Sequence, residues 1–299
     1  MSQYGRAMTG TEMLLEQILA WADARSDIRA VVMTGSTVRT DGSADSTSDL
    51  DIELFTTTPE LYASRTWTGE IRPVWVQLCF EPDDELDYRN RLTIFEGGQK
   101  VDFRVAPVAA MERMVSSGVL DEVYERGYRV LLDKDGITDG LRPPALPAQA
   151  LPSEAEYQAA IEEFWFEAWH IPKYAARDDL WVVKFRDWTM KELLRRMLEW
   201  DAVARNPATD VWYIGTKMSR WTTPAQWSDL QETFGRFDAG DSLRALYATC
   251  SLFSEVARDV GARLGFTYPS AVERSILGYI SQLTATAGDL PTQDARRLN

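Results

Sequence analysis

The sequence predicts an α+β sheet domain followed by an all-α helical domain. Three observations carry that expectation. Short apolar, β-branched runs recur through the first 110 residues; four prolines cluster between residues 141 and 152; beyond them apolar residues recur at helical spacing. The expected division is a sheet domain over residues 1–140, a proline-rich linker over 141–152 and a helical domain over 153–299.

Each element has its own local signal. Thr9-Gly10-Thr11-Glu12 has capping-box spacing, and Leu14, Leu15, Ile18, Leu19 and Ala22 follow at helical intervals. Residues 28–33 form a β-branched run that ends at Gly35-Ser36, which reads as a strand and a turn. Residues 40–48 are small, polar or acidic and read as a loop, and residues 50–55 read as the next strand. Residues 74–80, 92–95 and 101–105 are further strands, with Gly97-Gly98 as the turn before the last. Pro143, Pro144, Pro147 and Pro152 exclude a helix through the linker. Ser153-Glu154-Ala155-Glu156 then opens a helix, and Thr223-Pro224-Ala225-Gln226 opens another with proline in its first turn. Residues 179–204 and 241–264 carry long helical periodicity, and no internal repeat or low-complexity tract is present.

Composition narrows the chemistry. The formal charge is −14, from 32 basic and 46 acidic residues. Such a surface repels nucleic-acid backbones and attracts polycationic small molecules, so no nucleic acid is expected as a partner. Cys79 and Cys250 are too few for a disulfide framework or a cysteine-rich zinc site, and read as reduced thiols of a cytosolic protein. His170 is the single histidine, so a Ser-His-Asp or Cys-His scheme must use it; its place before Pro172 reads as structural, near a helix end. No signal core or membrane-length apolar run stands out, so the expectation is a soluble, cytoplasmic protein with no membrane partner. The sequence carries no heptad run that would set an oligomeric state.

The chemistry concentrates at Asp49-Leu50-Asp51. Alternate residues of a strand share a face, so the two carboxylates project side by side, and like charges so close call for a cation. Hard oxygen ligands of this kind suit Mg²⁺ accompanied by substrate phosphates. Gly35-Ser36 ends the preceding strand, where a glycine permits close backbone approach and a serine hydroxyl with exposed amides could hold a phosphate oxygen. Asp102 lies between Val101 and Phe103 and therefore on the opposite face from both. Three carboxylates on adjacent strands could hold two Mg²⁺, or one Mg²⁺ plus a base. This set suits nucleotidyl transfer, with Asp102 as the candidate to accept the proton of an acceptor hydroxyl. Arg39 follows the turn and either meets the γ-phosphate or faces solvent.

With these residues in place, the chain resembles the nucleotidyltransferase superfamily that includes DNA polymerase beta. It is more similar to the aminoglycoside 6-adenylyltransferase, or streptomycin adenylyltransferase, branch. The resemblance runs over roughly residues 10–280. It rests on Gly35-Ser36, Asp49-Leu50-Asp51 and the segment from Leu92 to Asp102, then on Glu163-Phe164-Trp165, Lys173-Tyr174, Trp181-Val182-Val183-Lys184 and the stretch from Arg186 to Trp200. Leu252-Phe253-Ser254-Glu255-Val256-Ala257 and Phe266-Thr267-Tyr268-Pro269 extend it toward the C-terminus. It implies an α/β-type nucleotidyltransferase sheet and a helical substrate- and nucleotide-binding domain, with AMP passing from ATP to a hydroxyl of streptomycin. By the same resemblance Asp49, Asp51 and Asp102 hold Mg²⁺ and carry the catalysis, and Gly35 and Ser36 contact the triphosphate. Lys184 and Lys217 reach the phosphates from the helical side; Lys217, in Gly215-Thr216-Lys217, departs in detail from the family's glycine-lysine pattern. Among Glu81, Asp83, Asp84, Glu85, Glu96, Glu162 and Glu163, some could pair with the guanidinium groups of a cationic aminoglycoside, and most are expected to be solvated. Trp165, Trp169, Trp181 and Trp188 are read as packing residues, of which one or two could stack on adenine or a guanidinium. Transfer to another small-molecule or protein hydroxyl is the alternative, and a non-catalytic nucleotide-binding protein is a further one.

Overall fold

The structure is a computed structural model and describes residues 9–39, 47–81, 88–146 and 148–288. The chain forms two compact units, Met1–Pro147 and Ala148–Asn299.

The first unit is built on a sheet. Helix α1 (Gly10–Asp23) is opened by a capping box, in which Glu12 N–H donates to Thr9 Oγ1 and Thr9 N–H donates to Glu12 Oε2. Strands β1 (Ile28–Thr34), β2 (Leu50–Thr56), β3 (Val74–Phe80), β4 (Arg89–Phe95), β5 (Lys100–Pro107) and β6 (Arg129–Asp133) form one sheet in the order β3-β4-β5-β2-β1-β6. Every neighbouring pair is antiparallel except β2 and β5, which run parallel. Helices α2 (Val108–Ser117) and α3 (Glu122–Glu125) connect β5 to β6.

Alternation along the central strands sorts their side chains into two faces. Leu50, Ile52, Leu54, Val101, Phe103 and Val105 pack with Leu14 and Ile18 of α1 and with Tyr62 and Trp67. The other face carries Asp51, Glu53 and Phe55 on β2, and Asp102, Arg104 and Ala106 on β5. There Phe55 and Ala106 pack with Met111 and Met114 of α2 and Tyr124 of α3. The polar ends of both strands therefore share one face and one end of the sheet.

Three labelled elements of this unit, α2, α3 and β6, lie outside the expected set. Helix α2 starts at once after Pro107 and closes on Gly118 in the left-handed region. Strand β6 pairs with β1 at the sheet margin, with its first two residues exposed. The strand expected at 92–95 begins at Arg89. Residues 40–46 of the expected loop lie outside the described residues, and Thr47, Ser48 and Asp49 are turn and coil.

The second unit contains α4 (Glu154–Ala175), α5 (Leu180–Arg205), α6 (Met218–Trp221), α7 (Pro224–Glu232), α8 (Ala239–Leu264) and α9 (Ser270–Gly288). Capping boxes at Ser153 and Thr223 open α4 and α7. Its core is apolar: Phe164 of α4 stacks on Phe253 of α8 with ring centroids 3.6 Å apart. The Tyr157 hydroxyl donates to the Ala257 carbonyl at 2.7 Å, which fixes α4 against α8. Helix α4 does not stop before Pro172 but continues to Ala175. Pro172 stands in its last turn, where the hydrogen bond it cannot donate is lost near the helix end rather than in mid-helix, and His170 lies with Nδ1 2.8 Å from the Phe166 carbonyl one turn back. Cys250 is buried and Cys79 partly exposed, and both are free thiols. Among the described residues no helix is long and apolar enough to cross a membrane.

Candidate active site

The chemistry-bearing residues of the sheet unit meet where β1 ends and where β2 and β5 begin. Thr34, the last residue of β1, pairs with Asp51, and across the parallel seam Asp51 pairs with Asp102. Register and alternation thus set the two carboxylates side by side on one face.

Gly35 makes the turn behind them. Its φ of 74° and ψ of −160° lie in a region open essentially to glycine. A Cβ there would sit 1.8 Å from Asp51 Oδ2, so backbone and carboxylate occupy space that no side chain can share. Ser36 opens the 3₁₀ turn Ser36–Val38, and Arg39 closes it with its N–H on the Ser36 carbonyl. The Arg39 guanidinium acts favourably on the Asp51 anion.

Asp51 is an uncomfortable anion. Burial, reinforced by the neighbouring Asp102 charge, pushes its pKa up to about 6, while Lys100 and Arg39 pull it down. Asp49, just before β2, is bound by Lys100: the ammonium donates to Asp49 Oδ2 at 2.8 Å and to Asp102 Oδ2 at 2.9 Å. The second oxygen of Asp102, Oδ1, is buried with no hydrogen-bond partner. A destabilised carboxylate beside a buried, unpartnered carboxylate oxygen is an arrangement that a hard divalent cation completes. The donor set fits Mg²⁺, which binds through one or two carboxylates plus phosphates rather than a full protein cage. Among the described residues no group of three or more His, Cys, Asp and Glu side chains is arranged to hold a metal ion, so Asp49, Asp51 and Asp102 do not form one ready-made ligand set.

One step further along the same strands lies a buried ion network. Glu53, 1% exposed, pairs in register with Arg104, whose Nη1 donates to Glu53 Oε1 at 2.6 Å. The Tyr124 hydroxyl donates to Glu53 Oε2 at 3.0 Å, and Arg104 lies 3.9 Å over the Tyr88 ring. Tyr88 in turn donates to Asp121 at 2.7 Å. Burial raises the Glu53 pKa, against the pull of Arg104 and Tyr124. Neither Glu53 nor Arg104 was expected from the motifs. Their two-residue offset from Asp51 and Asp102 was the available signal, since it places all four on one face.

The remaining candidates are distributed as follows. Lys184 and Lys217 belong to the helical unit and stand on different elements. Lys184, on α5, donates to the Gly235 carbonyl at 2.8 Å; Lys217 is the N-cap of α6 in the left-handed region. Glu81 is taken by Arg89 and by Arg91, whose guanidinium is buried, and so serves an internal ion pair rather than standing free for a cationic ligand. Glu96, Glu162 and Glu163 are exposed; Asp83, Asp84 and Glu85 lie outside the described residues. Of the four tryptophans, Trp165 is buried and Trp169 stacks on Tyr279, as packing residues do. Trp181 and Trp188 instead lie on the outward face of α5 beside Phe185, and Trp181 is 81% exposed.

Several known proteins are similar to this chain. An aminoglycoside 6-adenylyltransferase from Staphylococcus aureus is 22% identical over 282 residues, spanning 89% of this chain and 96% of its own. The crystal structure of an aminoglycoside 6-adenyltransferase from Bacillus subtilis aligns with 93% of this chain and 99% of its own, at 19% identity and a TM-score of 0.42. A nucleotidyltransferase-like protein from Exiguobacterium sibiricum aligns with 85% of this chain and 78% of its own, at 8% identity and a TM-score of 0.32. The family model described as streptomycin adenylyltransferase matches residues 8–283, which takes in both units and every candidate residue of the site. The chain therefore belongs to the streptomycin adenylyltransferase family.

Proposed function

We propose that the protein transfers AMP from ATP to a hydroxyl of streptomycin and releases pyrophosphate. The observation that carries this reading is the in-register pair Asp51 and Asp102 beside the Gly35 turn, within a chain whose family acts on aminoglycosides. In this reading Asp51 and Asp102, together with Asp49, would hold Mg²⁺, which when bound would supply positive charge to offset that developing on the leaving pyrophosphate.

The chain's own residues do the rest. The backbone at Gly35 and Ser36 would lie against the triphosphate, and Gly35 brings that backbone so close to the Asp51 carboxylate that no Cβ fits there. Arg39 offers a guanidinium to the terminal phosphate. Asp102 takes the proton of the acceptor hydroxyl as its oxygen bonds to the α-phosphorus and the bond to the bridging oxygen breaks. The acidic surface, −14 overall, favours the approach of a polycationic acceptor.

The test is Mg²⁺-dependent pyrophosphate release from ATP by the purified protein, with and without streptomycin. Release that requires streptomycin and vanishes in Asp51→Asn supports the reading. Release driven by a different hydroxyl acceptor, with streptomycin inert, replaces the acceptor and keeps the chemistry. No release with any acceptor, despite ATP binding, overturns the reading.

A further inference from the structure

Lys100 occupies a position that the proposed metal also needs. It is the first residue of β5, two before Asp102 and on the same face. Its ammonium spans two elements, 2.8 Å from Asp49 Oδ2 and 2.9 Å from Asp102 Oδ2. It thereby links the residue just before β2 to the start of β5, while Asp102 Oδ1 keeps no partner. An ammonium at that point and a divalent cation bound through the same oxygens exclude each other. A lysine suits such a place better than an arginine: its charge is compact, its stem has four rotatable carbons, and it is partly exposed, so it can leave without moving the strand.

We propose that Lys100 is the resident counter-ion of the carboxylate site, and that in the nucleotide-free protein it competes with the divalent cation for Asp49 and Asp102. The inference rests on the magnesium site proposed above. Lys100 is a positioning residue here. It holds the carboxylates together while no metal is bound, and it keeps the affinity of the nucleotide-free protein for metal low.

Two measurements test this, both made without nucleotide and neither reading turnover. In the first, Mn²⁺ is titrated into wild-type protein, Lys100→Met, Lys100→Arg and Asp51→Asn, and free Mn²⁺ is followed by electron paramagnetic resonance. Removing a positive charge at hydrogen-bonding distance from two ligands tightens Mn²⁺ binding in Lys100→Met by about tenfold. Lys100→Arg, which keeps the charge, stays within about threefold of wild type. Unchanged or weaker binding in Lys100→Met overturns the proposal, as does equal tightening in both variants. In the second, wild-type protein is treated with an amine-acylating reagent with and without Mn²⁺, and the peptide containing Lys100 is quantified by mass spectrometry. Metal binding frees the ammonium and raises its acylation; unchanged or reduced labelling overturns the proposal even if a variant does not fold. Failure of the underlying site looks different: wild-type and Lys100→Met both bind no Mn²⁺ that depends on Asp51, and both ideas then fall together.

Discussion

The two units treat buried charge in opposite ways. In the helical unit the interior is largely apolar and each buried charge faces an opposite one: Glu167 meets Arg186, Asp201 meets Arg205, and Lys191 reaches Asp187 at 2.6 Å and Thr249 at 3.0 Å. Burial nonetheless lowers the Lys191 pKa, with Asp187 pulling the other way. In the sheet unit the charges line up along two neighbouring strands: Asp51 and Asp102, then Glu53 and Arg104. The inner of those pairs is closed by hydrogen bonds, and the outer pair is left with a destabilised carboxylate and an unpartnered oxygen. The strand end sets two like charges side by side, whereas the helices set each buried charge against an opposite one.

That contrast can be broken by measurement, and the largest effect concerns chemistry. Asp51→Asn should lower turnover by about 10³-fold or more while the protein stays folded, as read by pyrophosphate release alongside circular dichroism. Near-normal turnover would remove Asp51 from the site. Next comes the helical core, where Phe164→Ala should cost about 3–5 kcal/mol in chemical denaturation, because it empties the stack on Phe253. A loss below about 1 kcal/mol would mean that the helices do not rely on this packing.

Arg104→Met tests the closed half of the strand network. It leaves Glu53 buried without its cation and should cost about 2–4 kcal/mol, much of it recovered in the double variant with Glu53→Gln. No recovery would show that the arginine stem, not its charge, is what matters there. The open half should respond with the opposite sign. Asp51 has a folded pKa of about 6, above its unfolded value, so the folded state holds its proton more tightly. Stability of the metal-free protein therefore falls as pH rises through about 4–6 and stays lower above that. Asp51→Asn should raise stability at pH 7.5 in chelator by about 1–3 kcal/mol, and this gain should vanish near pH 4. A destabilised variant at pH 7.5 would contradict the open-site account. Last, Trp181→Ala on the exposed face of α5 should change stability by no more than about 0.5 kcal/mol.

The sequence exposed the parts of this arrangement that depend on short spacing. Capping boxes at Thr9, Ser153 and Thr223 mark helix starts because the reciprocal bonds span only three residues. The strands around Asp51 and Asp102 read clearly because apolar and charged residues alternate along positions 50–54 and 101–105. Strand β6 was not legible, since Arg129–Asp133 is short and half exposed and its pairing is set by β1 rather than by its own pattern. Helix α2 hid behind Pro107, which reads as a stop but serves as its N-cap. The Lys100 bridge was hidden for another reason: a long side chain chooses its partners across strands, and no spacing rule reports that choice. The outward aromatics of α5 escaped because exposure at positions 181, 185 and 188 depends on which helix face finds neighbours.

The parallel seam between β2 and β5 has a consequence for how the protein comes into being. Strands β6, β1 and β2 form one antiparallel piece, and β3, β4 and β5 form another. Asp51 belongs to the first piece and Asp102 to the second, and they become neighbours only when the pieces join. Neither piece carries a site by itself. Completing the sheet and creating the carboxylate pair are one event, so a chain caught between the two pieces has no half-working form.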